Sequence, residues 1–265
     1  MTLNIRKALI TGASAGLGEE FARQLAASGT HLILTARRKD RLEALAADLE
    51  KQFGISVEII PADLLKNEDI ERLEKRIAET PDLDLLVNNA GFGRIGRFST
   101  RPIEPSLEMT QVHVVAFIRL ARAALDGMIA RNRGALINVS SIAAFSTLSG
   151  AIYSSTKIFQ VMFSLNLYNE LRGTDIRVQA LCPGFTHTEF HQIMGMDKSA
   201  IPAFMWMTAE KVVRISLRSL RRRRKVVCIP GFGNRVNAFL MRCPTTAALI
   251  HASGRLAFIR KKLMD

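Results

Sequence analysis

Short runs of apolar and β-branched residues alternate along the chain with longer segments whose apolar residues recur every three to four positions. KALIT (7 to 11), HLILT (31 to 35), SVEII (56 to 60), DLLVN (84 to 88), ALINV (135 to 139), IRVQAL (176 to 181) and KVVCI (225 to 229) predict seven strands. Between them, EEFARQLAAS and KDRLEALAADLEKQF carry charged outer faces and predict amphipathic helices. Strand, helix, strand in repetition predicts an α/β fold: a doubly wound, parallel, seven-stranded sheet covered on both faces. No internal repeat, low-complexity stretch or linker interrupts it, so residues 1 to 265 are expected to form a single domain, with a basic extension from about 231 to 265.

Glycines punctuate the turn after the first predicted strand. In TGASAGLG, Gly12, Gly16 and Gly18 allow a tight turn and bring backbone N–H groups at a helix N-terminus close to a pyrophosphate. Such a turn also exists for structural reasons alone. The second strand ends in LTARRKD, with Arg37 and Arg38 where an acid would be needed to accept ribose hydroxyls. A guanidinium there suits a 2′-phosphate. Farther on, YSSTK places Tyr153 and Lys157 one helical turn apart on one face. An ammonium so placed favours the phenolate, lowers the tyrosine pKa from about 10 toward neutrality, and makes the phenol a usable acid or base.

Charge changes the picture only at the C-terminal end. Residues 211 to 265 hold 14 of the 37 basic residues and one of the 24 acidic ones, which leaves 23 of each in residues 1 to 210, so the net +13 lies entirely in this last part. RSLRRRRKVV sets five cations, Arg221 to Lys225, at the end of a predicted helix. GFGNRVNAFLMRC then puts Phe232, Val236, Phe239 and Leu240 on one face beside Arg235 and Arg242. An apolar stripe with basic flanks suits peripheral contact with an anionic membrane, and equally a solvated or subunit-facing tail. Nucleic acid is not the expected partner, since no recognised binding module is present. Cys182, Cys228 and Cys243 have neither C-x-x-C spacing nor histidine neighbours, so no metal site is expected. MTLNIRKALI is not laid out as a signal peptide and no apolar run reaches membrane-spanning length, which predicts a cytoplasmic protein.

Four further motifs complete a pattern. LLVNNAG ends the fourth strand, NVSS the fifth and LCPG the sixth, with YSSTK between the last two. With the glycine turn they resemble the classical short-chain dehydrogenase/reductase family, in order and at nearly the family spacing, over residues 5 to 230. The resemblance implies a Rossmann-like fold, an NADP(H) cofactor and a homodimer or homotetramer built through the helices beginning near Glu104 and Tyr153. It implies cofactor contacts from Gly12, Ser14, Gly16, Leu17, Gly18, Arg37, Asp63, Asn89, Ala90, Gly91, Tyr153, Lys157, Pro183, Gly184 and Thr188. Asp63 would meet the adenine, although a plain turn acid fits its position as well. By the same resemblance Tyr153 exchanges the proton, Lys157 assists it, and a serine polarises the substrate oxygen. Ser141 is the better candidate as the second serine of its pair, and Ser140 the alternative. His113 stands where the family carries an asparagine that supports a helix kink and a water chain behind the lysine. A proton relay through His113 and a satisfied core histidine are the two readings.

After Pro183 and Gly184, a segment rich in Phe185, Phe190, Met194, Met196, Phe204, Met205, Trp206 and Met207 occupies the family's substrate lid. Thioethers and aromatic faces there suit a bulky apolar small molecule, such as a 3-oxoacyl thioester or a sterol-like ketone. The expected protein is an NADP(H)-dependent oxidoreductase. A cofactor-binding sensor and a membrane-surface interaction protein, each with little turnover, are the rivals.

Overall fold

The computed structural model describes residues 4–94, 96–147, 150–190, 194, 201–222 and 225–242. Seven strands form one parallel sheet: β1 (Lys7–Thr11), β2 (His31–Ala36), β3 (Val57–Pro61), β4 (Leu85–Asn88), β5 (Gly134–Val139), β6 (Ile176–Leu181) and β9 (Val227–Cys228). Their order across the sheet is β3-β2-β1-β4-β5-β6-β9. The helices are α1 (Gly16–Ala26), α2 (Lys39–Phe53), α3 (Asn67–Ala78), α4 (Glu104–Thr110), α5 (Phe117–Ala130), α6 (Ala151–Glu170), α7 (Ala209–Leu220) and α8 (Phe232–Arg242).

Two apolar layers explain why apolar residues dominate the strands. Successive side chains alternate faces, so Ala8 and Ile10 of β1 join Leu32, Leu34, Leu85 and Val87 under Phe21, Leu25, Leu42 and Leu49. Leu9, Ile33, Leu86 and Leu136 point the other way, onto Ile70, Leu73, Ile77, Leu120 and Met128. Each fully buried leucine contributes about 1.5–3 kcal/mol relative to exposure, so the doubled burial stabilises the central strands most.

The predicted strands agree with the observed ones to within one residue at each end, except at the β9 edge of the sheet. There KVVCI contributes only Val227 and Cys228, because the Lys225 N–H is taken by the Arg222 carbonyl in a turn. A second, two-stranded ladder joins β7 (Thr186–His187) to β8 (Met207–Thr208) and gathers both ends of the predicted lid against the sheet. Between α4 and α5 the chain makes a π-helical turn, Gln111–Ala116, continuous with both. Strand order reverses between β1 and β4, and the crevice beyond their carboxyl ends is where such sheets bind ligands.

Candidate active site

A cleft of about 350 Å³ opens at that reversal. One end is lined by Ser14, Arg37, Arg38 and Asp63, the middle by Gly12, Gly16, Leu17, Asn89, Ala90 and Gly91, and the far end by Ser140, Ser141, Tyr153, Lys157, Pro183, Gly184, Thr188 and Phe190. Residues drawn from between Thr11 and Phe190 thus share one cleft.

The glycine turn is shaped by its neighbours. Gly12 has φ +67°, and a Cβ there would come within 2.9 Å of Asn89 Nδ2. Asn89 donates from that atom to the Thr11 and Gly12 carbonyls at 2.8 and 3.3 Å, and Thr11 Oγ1 accepts the Asn89 and Ala90 N–H groups at 2.9 Å each. NNAG therefore ties the end of β4 to the turn. The residue capping α1 is Ala15, which has no side-chain cap to offer, so the first-turn amides are left for an anion from the cleft. This cradle fits a dinucleotide pyrophosphate.

At the polar end the two arginines differ. Arg37 is exposed at the cleft edge. Arg38 donates from Nε to Ser14 Oγ at 3.2 Å and pairs with Glu189 at 3.0 Å, so this arginine, which was not among the expected cofactor contacts, is engaged inside the protein. Asp63 lines the cleft, and its Oδ1 accepts the Leu65 N–H at 3.1 Å, as a turn acid does.

At the other end, Lys157 Nζ is buried and donates to the Val139 carbonyl at 3.0 Å and to Gln160 Oε1 at 3.1 Å. Gln160 in turn donates to the His113 carbonyl at 3.0 Å. The Ser141 hydroxyl hydrogen-bonds the Tyr153 phenol, whereas Ser140 Oγ donates to the Lys157 carbonyl at 2.7 Å and is spent there. Of the two serines, Ser141 is the one facing the phenol.

A family model described as short chain dehydrogenase matches residues 6–198. The chain belongs to the short-chain dehydrogenase family. It is 30% identical over 215 residues to the very-long-chain 3-oxoacyl-CoA reductase of Anas platyrhynchos, covering 79% of this chain and 67% of that one. Among solved structures, a short-chain dehydrogenase from Sphingobium yanoikuyae in complex with NADPH superposes with a TM-score of 0.82 at 34% identity, over 89% of this chain and 92% of that one. The bulky-bulky ketone specific alcohol dehydrogenase from Comamonas testosteroni gives 0.79 at 30% identity, over 89% and 91%.

Two expectations about this short-chain dehydrogenase's site change. First, the phenol is not lowered by the lysine. Burial pushes Tyr153 up to about 12, with the Ser141 hydrogen bond pulling the other way, and burial pushes Lys157 down to about 7. An amine that gives up its own proton so readily cannot hold a phenolate in the cofactor-free protein, and its Nζ stands 5.8 Å from the Tyr153 ring centroid. Second, His113 has no ring nitrogen to spare for a relay. Nε2 accepts the Phe92 N–H at 3.1 Å, which puts the ring proton on Nδ1, 3.0 Å from Thr156 Oγ1. Thr156 Oγ1 passes its own hydrogen to the Tyr153 carbonyl at 3.0 Å, closing the circuit on backbone. Burial, and then the Lys157 charge, hold the imidazole well below its usual pKa, so it stays neutral. In this arrangement the His113 ring holds the Phe92 backbone and the Thr156 hydroxyl in place.

The lid residues divide. Phe190 lies 6.1 Å from Tyr153, ring to ring, and Met194 packs beside it at Gly93. Trp206 stacks on His187 at 5.0 Å and meets Phe185 at 5.5 Å, bracing β7 and β8, while Phe204 is 88% exposed. Met205 belongs to a short 3-10 turn and Met207 to β8, and Met196 lies outside the described residues. Sequence reasoning missed three contributors: Gln160, Glu189 and Asn234, whose carboxamide fills the space a Cβ at Gly184 would need. Only Gln160 left a signal, a polar residue three positions after Lys157 in the apolar stretch IFQVMF.

Proposed function

We propose that this oxidoreductase uses NADP(H) to reduce the ketone of a bulky apolar substrate, a 3-oxoacyl thioester or a sterol-like ketone, or to oxidise the matching alcohol. The observation that carries the reading is a single cleft with a phosphate cradle and arginines at one end and Ser141, Tyr153 and Lys157 at the other. The NADPH complex of the Sphingobium relative supports the cofactor, and the bulky-ketone and 3-oxoacyl-CoA enzymes support the substrate class.

When bound, NADPH supplies the hydride. The Ser141 hydroxyl donates to the substrate oxygen and orients it, and the Tyr153 phenol, already hydrogen-bonded to Ser141, gives that oxygen its proton. Lys157 stands behind the phenol, held by the Val139 carbonyl and Gln160, with Gln160 fixed in turn by the His113 carbonyl. Phe190 and Met194 form the apolar side that excludes water and grips the substrate. Ser14, with Arg37 or Arg38, takes the 2′-phosphate, Asp63 the adenine, and Thr188 the nicotinamide carboxamide.

The test is NADPH oxidation, with NADH in parallel, against apolar ketones and 3-oxoacyl thioesters. Turnover in the wild type that Tyr153→Phe reduces at least about a thousandfold is expected, given what a positioned acid and its hydrogen bonds contribute together. Tight NADPH binding with no turnover on any substrate would favour the cofactor-binding sensor.

Two assembly readings rest on exposed apolar residues. Leu107, Ile118, Phe159 and Met162 of α4, α5 and α6 lie exposed around the Phe117, Phe159 and Phe163 ring cluster, which supports a homo-oligomer through these helices. On α8, Asn234 and Ala238 face inward, whereas Phe232 and Phe239 are 79% and 72% exposed with Val236 between them. That outward stripe, with Arg235 on its flank, supports peripheral contact with an anionic bilayer.

A further inference from the structure

The arm that leaves β7 crosses the whole cleft in three residues. Thr188 rests against Gly16 of the glycine turn, close enough that a Cβ there would lie 3.1 Å from its side chain. Phe190 reaches the Tyr153 ring. Between them, Glu189 points at α2, where its Oε1 pairs with Arg41 at 2.7 Å and its Oε2 with Arg38 at 3.0 Å. Arg38 is also the residue that holds Ser14, through Oγ at 3.2 Å and the carbonyl at 3.3 Å. One carboxylate from the lid arm therefore occupies the guanidinium at the corner where the cofactor's 2′-phosphate is read.

We propose that Glu189 is the internal counter-anion of this corner: an incoming 2′-phosphate competes with its carboxylate for Arg38 and, on winning, frees the arm from α2. Glu189 thereby sets how strongly the protein prefers NADPH over NADH and couples recognition of the 2′-phosphate to movement of Phe190 beside the catalytic tyrosine. The inference rests on reading Ser14, Arg37 and Arg38 as the 2′-phosphate corner.

Three features make the exchange feasible. Both ion pairs are half exposed, with the Arg38, Arg41 and Glu189 side chains 38%, 45% and 39% accessible, so each is weakly held. The carboxylate gives one oxygen to each arginine, so neither pair is the stronger bidentate kind. A phosphate monoester carries close to two charges and three acceptor oxygens, and Arg37 stands exposed at the same edge as a further donor. Arg41 and then Arg38 hold the Glu189 carboxyl below its usual pKa, so it is the ionised form that must be displaced.

The experiment is titration calorimetry with NADPH, NADH and 2′,5′-ADP, the last presenting the 2′-phosphate without nicotinamide or pyrophosphate. Glu189→Gln keeps the side chain's size and removes its charge. It is expected to tighten NADPH and 2′,5′-ADP about threefold to fivefold and to leave NADH within about twofold, the scale of one exposed ion pair. Asp40→Asn removes an equal charge from the first turn of α2, the helix that Glu189 faces, without touching an Arg38 partner, and is expected to change NADPH binding less than about twofold. Hydrogen exchange of wild-type residues 186 to 190 should quicken when 2′,5′-ADP binds, and in Glu189→Gln should already be quick without it.

Equal tightening by the two substitutions would reduce the effect to diffuse charge and overturn the proposal. So would an unchanged or weaker NADPH affinity in Glu189→Gln when the wild type prefers NADPH. A wild type that binds NADH as tightly as NADPH, and whose NADPH affinity Arg37→Ala and Arg38→Ala leave unaltered, would remove the 2′-phosphate corner itself and the proposal with it.

Discussion

At the scale of single residues, Lys157 bears on stability as well as on the proposed chemistry. Its amine is buried with two neutral acceptors and no paired carboxylate, and burial lowers its pKa to about 7. In the unfolded chain the same amine holds its proton up to about 10.4. Between pH 7 and 9 the unfolded state therefore binds more protons than the folded one, and stability must rise with pH across that window. The penalty is fully present below about 7 and fades above it, the reverse of a paired lysine. Urea denaturation of the cofactor-free protein should show a gain on the order of 2 kcal/mol from pH 7 to pH 9, and Lys157→Met should abolish that slope. The buried Tyr153 phenol and Cys182 thiol, each raised to about 12, work in the opposite sense at higher pH, since the folded state keeps protons that the unfolded one has lost. A flat wild-type profile between pH 7 and 9 would mean that the amine remains charged inside the fold.

Among the elements, the π turn between α4 and α5 does the most positioning. It sets the buried His113 ring between the Phe92 N–H and Thr156 Oγ1, and turns its carbonyl to the Gln160 amide. Such turns recur at functional sites, where one extra residue re-aims a group that a regular helix would use internally. His113→Leu leaves the Phe92 N–H without a partner in an apolar interior, at a cost of about 1–3 kcal/mol, and removes the ring donor from Thr156 Oγ1, which keeps its own bond to the Tyr153 carbonyl. Thermal denaturation should show the loss, while activity below the melting temperature falls less than tenfold. Abolished turnover with an unchanged melting temperature would restore the relay. α8 has a similar bracing role: Asn234 donates to the Pro230 carbonyl at 2.8 Å and packs on Gly184, so this helix backs the site's wall.

Seen as a whole, the molecule keeps its charge balance in the nucleotide-binding part and its surplus of cations in the part containing α7 and α8. Not all of the surplus faces solvent, since the Arg242 guanidinium sits 4.0 Å over the Phe145 ring, beside the turn that follows Ser141. No described helix is long and apolar enough to cross a membrane. If the α8 stripe meets lipid, it lies on the surface. Truncating the chain before α8 would remove Asn234 and damage the site, so the test is the double substitution Phe232→Glu and Phe239→Glu. It should abolish sedimentation with vesicles containing phosphatidylglycerol while leaving NADPH affinity unchanged. Equal sedimentation of the two proteins would place any lipid contact elsewhere.

Local pattern alone determined the parallel sheet, because a strand buried on both faces needs a nearly continuous apolar run, and KALIT, HLILT and ALINV each supply one. It also made the glycine turn and the Tyr153 and Lys157 pair legible, since both depend on spacings of a few residues within one element. Whatever depended on distant segments meeting was beyond its reach. Ser140 and Ser141 are equivalent as letters, and are separated only once α6 brings a backbone carbonyl to one and the phenol to the other. His113 read as a relay or as core until the fold took both of its nitrogens, and the expected lowering of the Tyr153 pKa failed because burial, which is a tertiary property, outweighs a neighbour one helical turn away. Glu189 lies 151 residues from Arg38, and no local signal can report an ion pair across that distance.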